Sequence, residues 1–214
     1  MVSLDNSLKL ADPNVPIENI TGVILAGGRA TRMGGQDKGL ISWQGKCLVE
    51  QVSAIIRPQV STLLISANRN QSHYAKLCHC PVLTDTFGYY AGPLAGIATA
   101  LQQAQTDYVL FVPCDSPQLS LQLASRLYLS LIDNQAVISV ADDGRRLHYV
   151  VALIKRALLP DLLTFLNQGQ HQVSRWYAQH AWARANFADI PETLVNINTL
   201  EEYALLTGNY HCNS

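Results

Sequence analysis

The sequence predicts one α/β domain, with a Rossmann-like, mostly parallel sheet and helices on both of its faces. Its length of 214 residues fits one large domain. With 48% hydrophobic and only 14% charged residues, the chain has enough apolar material for a core. Short β-branched apolar runs alternate with segments of helical spacing, which is the order that produces a parallel sheet covered on both faces.

The strands are predicted from short apolar runs that glycine, proline or polar residues interrupt. Continuous apolar runs are typical of strands buried on both faces. The most strand-like run has the sequence YVLFV, at residues 108–112. In chain order the predicted strands are 20–26, 62–66, 81–84, 108–112, 136–140 and 149–154, with a short extended piece at 194–197.

The helices are predicted from apolar residues spaced three and four apart. In chain order they are 47–57, 93–103, 121–132, 157–168 and 200–206. We expect residues 1–19 to be a polar, disordered leader, residues 20–207 to form the domain, and residues 208–214 to be a tail.

Charge and cysteine content narrow the classes of function. A net charge of −1 argues against a protein whose main partner is a nucleic acid. Five cysteines is an odd number, which favours free thiols in a reducing cytoplasm. No apolar run of 18 residues and no secretion signal are found, so we expect neither a membrane span nor export.

A glycine-rich loop follows the first predicted strand. Residues 25–39, LAGGRATRMGGQDKG, contain five glycines and three cations, Arg29, Arg32 and Lys38. Glycines allow main-chain N–H groups to surround an anion, and nearby cations balance its charge. The loop therefore predicts a polyphosphate site, and a flexible turn with solvated charges is the plain alternative.

Two better-known phosphate loops do not fit this sequence. Glycines at 27, 28, 34, 35 and 39 cannot supply the Gly-x-Gly-x-x-Gly spacing of a dinucleotide-binding fold. The P-loop needs Gly-Lys followed by Ser or Thr, whereas Lys38 lies between Asp37 and Gly39. A different class of nucleotide site is therefore expected.

Asp115 is the candidate metal ligand. It follows the strand at 108–112 and lies in the sequence PCDSP, where a carboxylate would face the phosphate loop. Mg²⁺ bound to a nucleotide takes one or two protein carboxylates and completes its shell with phosphate oxygens and water. The alternative is that Asp115 caps a helix that begins near Ser120.

Further polar side chains follow other strands. Asn68 and Asp85 could contact the base or ribose of a nucleotide, or could simply form turns. Asn196 and Asn198 lie two residues apart, so on an extended segment both point to one face. For Asn198, a metal or substrate contact and a helix cap at Thr199 are both open.

The glycine loop resembles the signature LAGGxxxRMGxxDK of nucleotidyltransferases, which transfer NMP from an NTP. The full stretch resembles the molybdenum cofactor guanylyltransferases of the molybdopterin nucleotidyltransferase family. The resemblance covers about residues 20–206. It also rests on motifs in the same order along the chain: SANR at 66–69, Asp85, AGPLAG at 91–96, PCDSP at 113–117 and VNINT at 195–199.

The resemblance implies transfer of GMP from Mg-GTP to molybdopterin or its molybdenum form, with pyrophosphate released. It implies that Mg²⁺ binds Asp115 and that Lys38, Arg32 and Asp115 are catalytic. Molybdoenzymes or their chaperones would receive the product. The substrate contacts that it implies are Leu25, Ala26, Gly27, Gly28, Lys38, Asn68, Asp85, Asp115, Asn196 and Asn198.

Two other functions fit the same residues. The signature also serves cytidylyl transfer and transfer to sugar phosphates, and a non-catalytic module could bind nucleotide and deliver the cofactor. The chain departs from the family in two places: Tyr149 follows His148 where the family has proline, and residues 168–172 lack a basic pair. These departures leave the contacts to the pterin open.

Overall fold

The computed structural model describes residues 15–26, 37–85 and 92–197. The strands in these ranges are β1 (Ile20–Leu25), β2 (Ser42–Trp43), β3 (Lys46–Cys47), β4 (Thr62–Ser66), β5 (Val82–Leu83), β6 (Tyr108–Pro113), β7 (Ile138–Asp142), β8 (Leu147–Lys155) and β9 (Trp182–Asn186). Seven of these described strands form one sheet in the order β5-β4-β1-β6-β8-β7-β9, and β2 pairs with β3 in a separate hairpin.

Helices cover both faces of the sheet, as predicted. They are α1 (Leu48–Ile56), α2 (Gln71–Cys78), α3 (Pro93–Gln103), α4 (Leu123–Asp133), α5 (Leu159–Asn167) and α6 (Val173–Tyr177). Helices α1, α2 and α4 pack in one hydrophobic cluster, and α3, α5 and α6 pack in the other. Short 3₁₀ turns occupy Ile17–Asn19, Lys38–Leu40, Arg57–Gln59, Arg156–Leu158 and Pro191–Leu194.

Alternate side chains of the central strands pack into the hydrophobic clusters on opposite faces of the sheet. Val23 and Phe111 lie on the face of α3 and α5, whereas Ile24 and Val112 lie on the face of α1 and α4. All four side chains are fully buried. Because successive side chains of a strand point to opposite faces, a strand between two helical layers must be apolar throughout. This is why the strand at the centre of the sheet reads as a continuous apolar run.

The sheet is mostly parallel, with one reversed strand. β8 runs antiparallel to both β6 and β7, whereas the pairs β1–β4, β1–β6, β4–β5 and β7–β9 are parallel. This agrees with the prediction of a mostly parallel sheet, which did not specify the direction of each strand. Only residues 143–146 connect the two strands, which allows a hairpin but is far too short for a parallel crossover.

Several elements were not predicted: the β2–β3 hairpin, α2, α6 and β9. Conversely, the extended piece expected at 194–197 is only partly extended, because Leu194 ends a 3₁₀ turn and Val195 begins the extended backbone. The expected helix at 200–206, the tail at 208–214 and residues 1–14 of the expected leader lie outside the described residues.

The state of the cysteines and the presence of membrane-spanning helices can be stated for the described residues only. The cysteines at 47, 78, 80 and 114 are free thiols, as predicted. Across residues 15–26, 37–85 and 92–197, no helix has the length and apolar character that a membrane crossing needs.

Candidate nucleotide site

The candidate site lies where the parallel strands end. Leu25 at the end of β1 pairs with Ser66 of β4 on one side and with Pro113 of β6 on the other. The ladder continues past the strand ends, with Ala26 N–H donating to the Ser66 carbonyl at 2.8 Å. This register places the residues after β1, β4 and β6 side by side, at the edge where α/β sheets bind ligands.

A cleft of about 300 Å³ opens at this edge. The glycine loop, the SANR, AGPLAG and PCDSP motifs and Asp85 all contribute residues to it. The described residues that line it are Leu25, Ala26, Asp37, Lys38, Ser66, Arg69, Asp85, Gly92, Pro93, Gly96, Pro113, Cys114, Asp115, Val150 and Asn196. Leu25, Ala26, Lys38, Asp85, Asp115 and Asn196 were predicted as site residues.

Lys38 and Asp115 face each other in the cleft. The Lys38 ammonium lies 3.1 Å from Oδ2 of Asp115. The Asp115 residue is only 8% exposed, so this contact is partly shielded from solvent. The glycine loop and the loop after β6 therefore meet in one cleft, which is the arrangement that the sequence predicted.

The alternative role of Asp115 as a helix cap is not realised. α4 begins at Leu123, and its capping position is Gln122 rather than a residue near Ser120. Asp115 lies in the turn directly after β6, well before that helix. Its carboxylate is thus directed to the cleft without a role in starting α4.

Asn196 is brought to the cleft by the segment that follows the last 3₁₀ turn. The main-chain N–H of Ile197 donates to the carbonyl of Asp115 at 2.8 Å, and the Asn196 Oδ1 accepts from the Ser116 hydroxyl at 2.8 Å. Ile197 is fully buried against Trp43. These contacts fix Asn196 beside the Asp115 loop, in the cleft.

Asp85 is held by two side chains from the end of β4. The Asn68 amide donates to Oδ2 of Asp85 at 2.8 Å and also accepts from the Asp85 main-chain N–H at 3.0 Å. The Ser66 hydroxyl donates to Oδ1 at 3.3 Å. Asp85 lines the cleft, whereas Asn68 supports Asp85 from beside it. The two residues were predicted as separate contacts, and the structure joins them as a pair.

A close approach of α3 completes this corner. A Cβ atom at Gly96 would lie 2.7 Å from the Ser66 hydroxyl oxygen and 3.5 Å from Oδ1 of Asp85. Real side chains do not tolerate the shorter of these distances, so only glycine fits. The second glycine of the AGPLAG motif is thus explained by the packing of α3 against the Ser66–Asp85 pair.

Sequence reasoning missed three polar residues of the cleft: Asp37, Ser66 and Arg69. All three stand inside motifs that were recognised, Asp37 directly before Lys38 and the other two in SANR. The available signal was position after a strand or beside the signature lysine. What the sequence lacked was the direction in which each side chain points.

Four predicted site residues lie outside the described residues: Gly27, Gly28, Arg32 and Asn198. Their roles remain predictions, and both readings of Asn198 stay open.

Cys114 lines the cleft but is unsuited to covalent catalysis. Burial raises the pKa of its thiol far above the ordinary range, and the neighbouring Asp115 carboxylate raises it further. A thiol that stays protonated at neutral pH is a poor nucleophile. The chemistry of the cleft therefore depends on its charged groups rather than on sulfur.

The described residues fit a magnesium ion only together with a polyphosphate. Within them, no cluster of three or more histidine, cysteine or acidic side chains could hold a metal by itself. The cleft offers the Asp115 carboxylate, and Mg²⁺ in nucleotide sites uses one or two carboxylates with phosphate oxygens and water. Oxygen ligands suit Mg²⁺ rather than a softer metal.

Comparison with known proteins places the chain in a family. Residues 22–185 match the model of the MobA-like NTP transferase domain. The chain belongs to this family. The match lies inside the predicted domain of residues 20–207, whose outer bounds remain a prediction.

Curated relatives match along most of their length. The molybdenum cofactor guanylyltransferase of Shewanella sp. strain MR-4 is 46% identical over 183 residues, which is 86% of this chain and 92% of that protein. The protein of the same name from Shewanella woodyi is 45% identical over 86% of this chain and 93% of its own.

Solved structures share the fold at low sequence identity. Molybdopterin-guanine dinucleotide biosynthesis protein A of Archaeoglobus fulgidus has a TM-score of 0.70 at 17% identity, covering 86% of this chain and 95% of that one. The 4-diphosphocytidyl-2C-methyl-D-erythritolsynthase of Anaerococcus prevotii has a TM-score of 0.68 at 13% identity, covering 93% and 99%. The predicted α/β class is confirmed, with a nucleotidyltransferase fold.

Proposed function

We propose that the protein transfers GMP from GTP to molybdopterin, or to its molybdenum form, and releases pyrophosphate. The product is the guanine dinucleotide form of the molybdenum cofactor. The observation that carries the proposal is the Lys38–Asp115 pair, 3.1 Å apart in a cleft of a chain that is 46% identical to a molybdenum cofactor guanylyltransferase.

The reaction joins two anions, so the main task of the site is to neutralise and align them. A phosphate oxygen of molybdopterin forms a bond to the α-phosphorus of GTP, and the bond from that phosphorus to the bridging oxygen breaks. Pyrophosphate leaves with the bridging electron pair. The attacking phosphate is already ionised near neutral pH, so no side chain has to remove a proton.

Lys38 supplies positive charge at the phosphates. Its ammonium donates hydrogen bonds as a mobile point charge, and Lys38 lines the cleft. Arg32 of the same loop is proposed to contribute a second cation. Both would lower the repulsion between the two substrates.

Asp115 is proposed to hold Mg²⁺ at the phosphates. The ion supplies Lewis-acid stabilisation of phosphate charge when it is bound. The contact between Lys38 and Asp115 compensates both charges within a partly buried site. A nucleotide with its metal would take over both partners.

Asp85 is proposed to accept hydrogen bonds from the guanine edge. Guanine presents N1–H and N2–H₂ donors together, whereas a cytosine edge presents a different pattern. Ser66 and Asn68 both donate to this carboxylate, which keeps it oriented toward the cleft. Leu25, Ala26, Gly27 and Gly28 are proposed as main-chain contacts, and Asn196 and Asn198 as contacts on the Asp115 side.

Pyrophosphate release tests the proposal directly. We expect release from Mg-GTP only when molybdopterin is present, and at least tenfold slower release from Mg-CTP and Mg-UTP at equal concentration. Faster release with CTP would favour a cytidylyltransferase, and release with a sugar phosphate in place of the pterin would favour that substrate class. GTP binding without release in the presence of molybdopterin would support a non-catalytic delivery module.

The cellular compartment and the recipients of the product are also part of the proposal. The free thiols in the described residues support a reducing compartment, and we propose the cytoplasm. Molybdoenzymes or their chaperones are the proposed recipients of the product.

A further inference from the structure

A carboxylate beside the signature lysine is held by two donors from a single helical turn. The Tyr74 hydroxyl donates to Oδ1 of Asp37, and the Asn70 side-chain amide donates to Oδ2 at 3.1 Å. Asn70 occupies the capping position of α2 and Tyr74 lies in the first turn of that helix, so both donors come from the same end of α2. Asp37 is thereby tied to the start of α2 at both of its oxygens.

Asp37 is rigidly connected to Lys38. The two residues begin a tight 3₁₀ turn in which Leu40 N–H donates to the Asp37 carbonyl at 3.0 Å and Ile41 N–H donates to the Lys38 carbonyl at 3.2 Å. Both Asp37 and Lys38 line the cleft. Because the turn is closed by its own hydrogen bonds, the placement of Asp37 determines where the lysine side chain starts.

Tyr74 packs directly beneath this turn. The residue is fully buried, and a Cβ atom at Gly39 would lie 2.6 Å from its hydroxyl oxygen. Glycine is therefore required after Lys38 so that the phenol can reach Asp37. Burial, more than any other effect, raises the pKa of the Tyr74 phenol, and the hydrogen bond to Asp37 adds to the rise. The phenol thus remains a donor at every working pH.

The Asp37 carboxylate needs such partners for a second reason. A free carboxylate at the rim of a polyphosphate site would repel the ligand. Two hydrogen bonds hold its oxygens against the start of α2 and partly compensate its charge. The amino end of α2 also carries partial positive charge, which stabilises a nearby anion.

We propose that Tyr74, Asn70 and Asp37 form a positioning unit that fixes the Lys38 ammonium opposite Asp115, and through it the triphosphate of the nucleotide. The inference rests on the proposed function, in which Lys38 binds the phosphates. The residues of the unit are positioning residues, since they act through Lys38. Displacement of a phosphate-binding group by about 1 Å can reduce turnover roughly 100-fold.

The test removes one oxygen atom, in Tyr74→Phe. We expect kcat/KM for Mg-GTP to fall roughly tenfold or more, while KM for molybdopterin stays within about twofold of wild type. Tyr177→Phe is the matched control, because Tyr177 is also buried and its hydroxyl donates to a carbonyl, that of Tyr149. Both variants lose one buried hydrogen bond and some thermal stability, but only Tyr74→Phe should change the GTP kinetics.

A double-mutant cycle with Lys38→Ala separates positioning from simple destabilisation. If Tyr74 acts through Lys38, Tyr74→Phe should cost little further kcat/KM in the Lys38→Ala background. An equal loss in both backgrounds would overturn the inference, as would wild-type GTP kinetics in Tyr74→Phe.

The inference and the proposed function fail in different ways. Wild-type enzyme that releases no pyrophosphate with any nucleotide would contradict the function alone. In that case the affinity for Mg-GTP, measured by calorimetry for wild type and Tyr74→Phe, still decides the positioning role. Weaker binding in the variant supports the unit, and equal binding overturns it.

Discussion

At the scale of single residues, the carboxylate of Asp115 contributes a negative charge to the cleft, opposite Lys38. Its carboxylate is nearly buried and 3.1 Å from Lys38, so its charge is not diluted by solvent. The carboxylate balances the charge of Lys38, and it would repel a triphosphate that arrives without a metal. The same residue is therefore expected to favour the metal-bound nucleotide and to disfavour the free one.

The substitution Asp115→Asn tests this residue with almost no change of shape. We expect turnover to fall about 100-fold or more, because the carboxylate for the metal is lost. Binding of GTP in the presence of a chelator should be retained or become tighter, because a repulsive charge is removed. Pyrophosphate release and calorimetry measure the two effects.

Asp107→Asn is the matched control for that substitution. Asp107 stands just before the other end of the same strand β6, where it is exposed and accepts a hydrogen bond from Asn19. The Asp107→Asn substitution should leave both turnover and GTP binding in the presence of a chelator unchanged. Turnover within tenfold of wild type in Asp115→Asn would remove Asp115 from the metal role.

The sequence predicted which residues meet in the cleft where position along the chain was informative. Lys38, Asp85 and Asp115 each follow a recognisable strand or motif, and the parallel strands bring them together. Asp37 and Ser66 were missed because their roles depend on partners elsewhere in the chain, Tyr74 in one case and Asp85 in the other. No spacing in the sequence encodes such contacts.

At the scale of elements, the amino end of α4 is capped by a side chain that follows α1 rather than by its own capping residue. The capping residue Gln122 makes no side-chain cap hydrogen bond. Instead Oε1 of Gln59 accepts from the main-chain N–H of Ala124 at 3.0 Å, and its Nε2 donates to the carbonyls of Ile55 and Ser120 at 2.9 and 3.1 Å. Gln59 is only 6% exposed. One buried amide thus ties the end of α1 to the start of α4.

Gln59→Leu should therefore destabilise the protein by about 1–3 kcal/mol, because it leaves buried main-chain groups without partners. The matched control is Gln122→Leu at the exposed capping position, which should stay within about 0.5 kcal/mol of wild type. Urea unfolding followed by circular dichroism measures both changes. Equal stabilities of the two variants would show that Gln59 does not supply the missing cap.

Elements were predicted where hydrophobic pattern was strong and missed where it was weak. β6 is apolar along its length, and its predicted span differs from the observed one by one residue. α2 is mostly polar, with buried residues only at Tyr74 and Cys78, and β9 alternates buried alanines with exposed polar residues. The β2–β3 hairpin turns at Gln44 and Gly45, which both have positive φ, as a tight hairpin turn requires. Glycine adopts such a φ readily, but glutamine does so rarely, so the pair is a weak turn signal in the sequence.

At the scale of the whole molecule, the order of strands and helices along the chain does not determine the direction of every strand. A sheet of alternating strands and helices is parallel by default, and six of the seven strands described in the main sheet obey this rule. β8 departs from it because the link from β7 contains Asp143 and Gly144, with Gly144 at a φ of +83°. A short Asp-Gly link between apolar runs predicts a hairpin, and this signal was present in the sequence.

That hairpin link also gives the protein a specific response to acid. Asp143 accepts hydrogen bonds from the main-chain N–H groups of Arg145 and Arg146, both at 2.8 Å, and its other oxygen lies 2.7 Å from Nε2 of His148. Burial alone would raise the pKa of Asp143, but the hydrogen bond from His148 and those from the main chain outweigh it and lower the pKa from 3.8 to about 2. The ionised carboxylate is thus stabilised in the folded protein.

The sign of the pH dependence follows from the lowered pKa. Well above pH 4 the carboxylate is ionised in both states, and its contacts stabilise the folded state in full. As the pH falls from about 4 toward 2 the unfolded chain takes up the proton first, and this contribution is lost.

Asp143→Asn should therefore be less stable than wild type at pH 5 in urea unfolding, with the difference shrinking steadily at pH 4, 3 and 2. His148→Gln should reduce the same pH-dependent difference, because it removes the imidazole donor. A gap between wild type and Asp143→Asn that stays constant from pH 5 to pH 2 would mean that the loop, rather than the ionised carboxylate, accounts for the loss of stability.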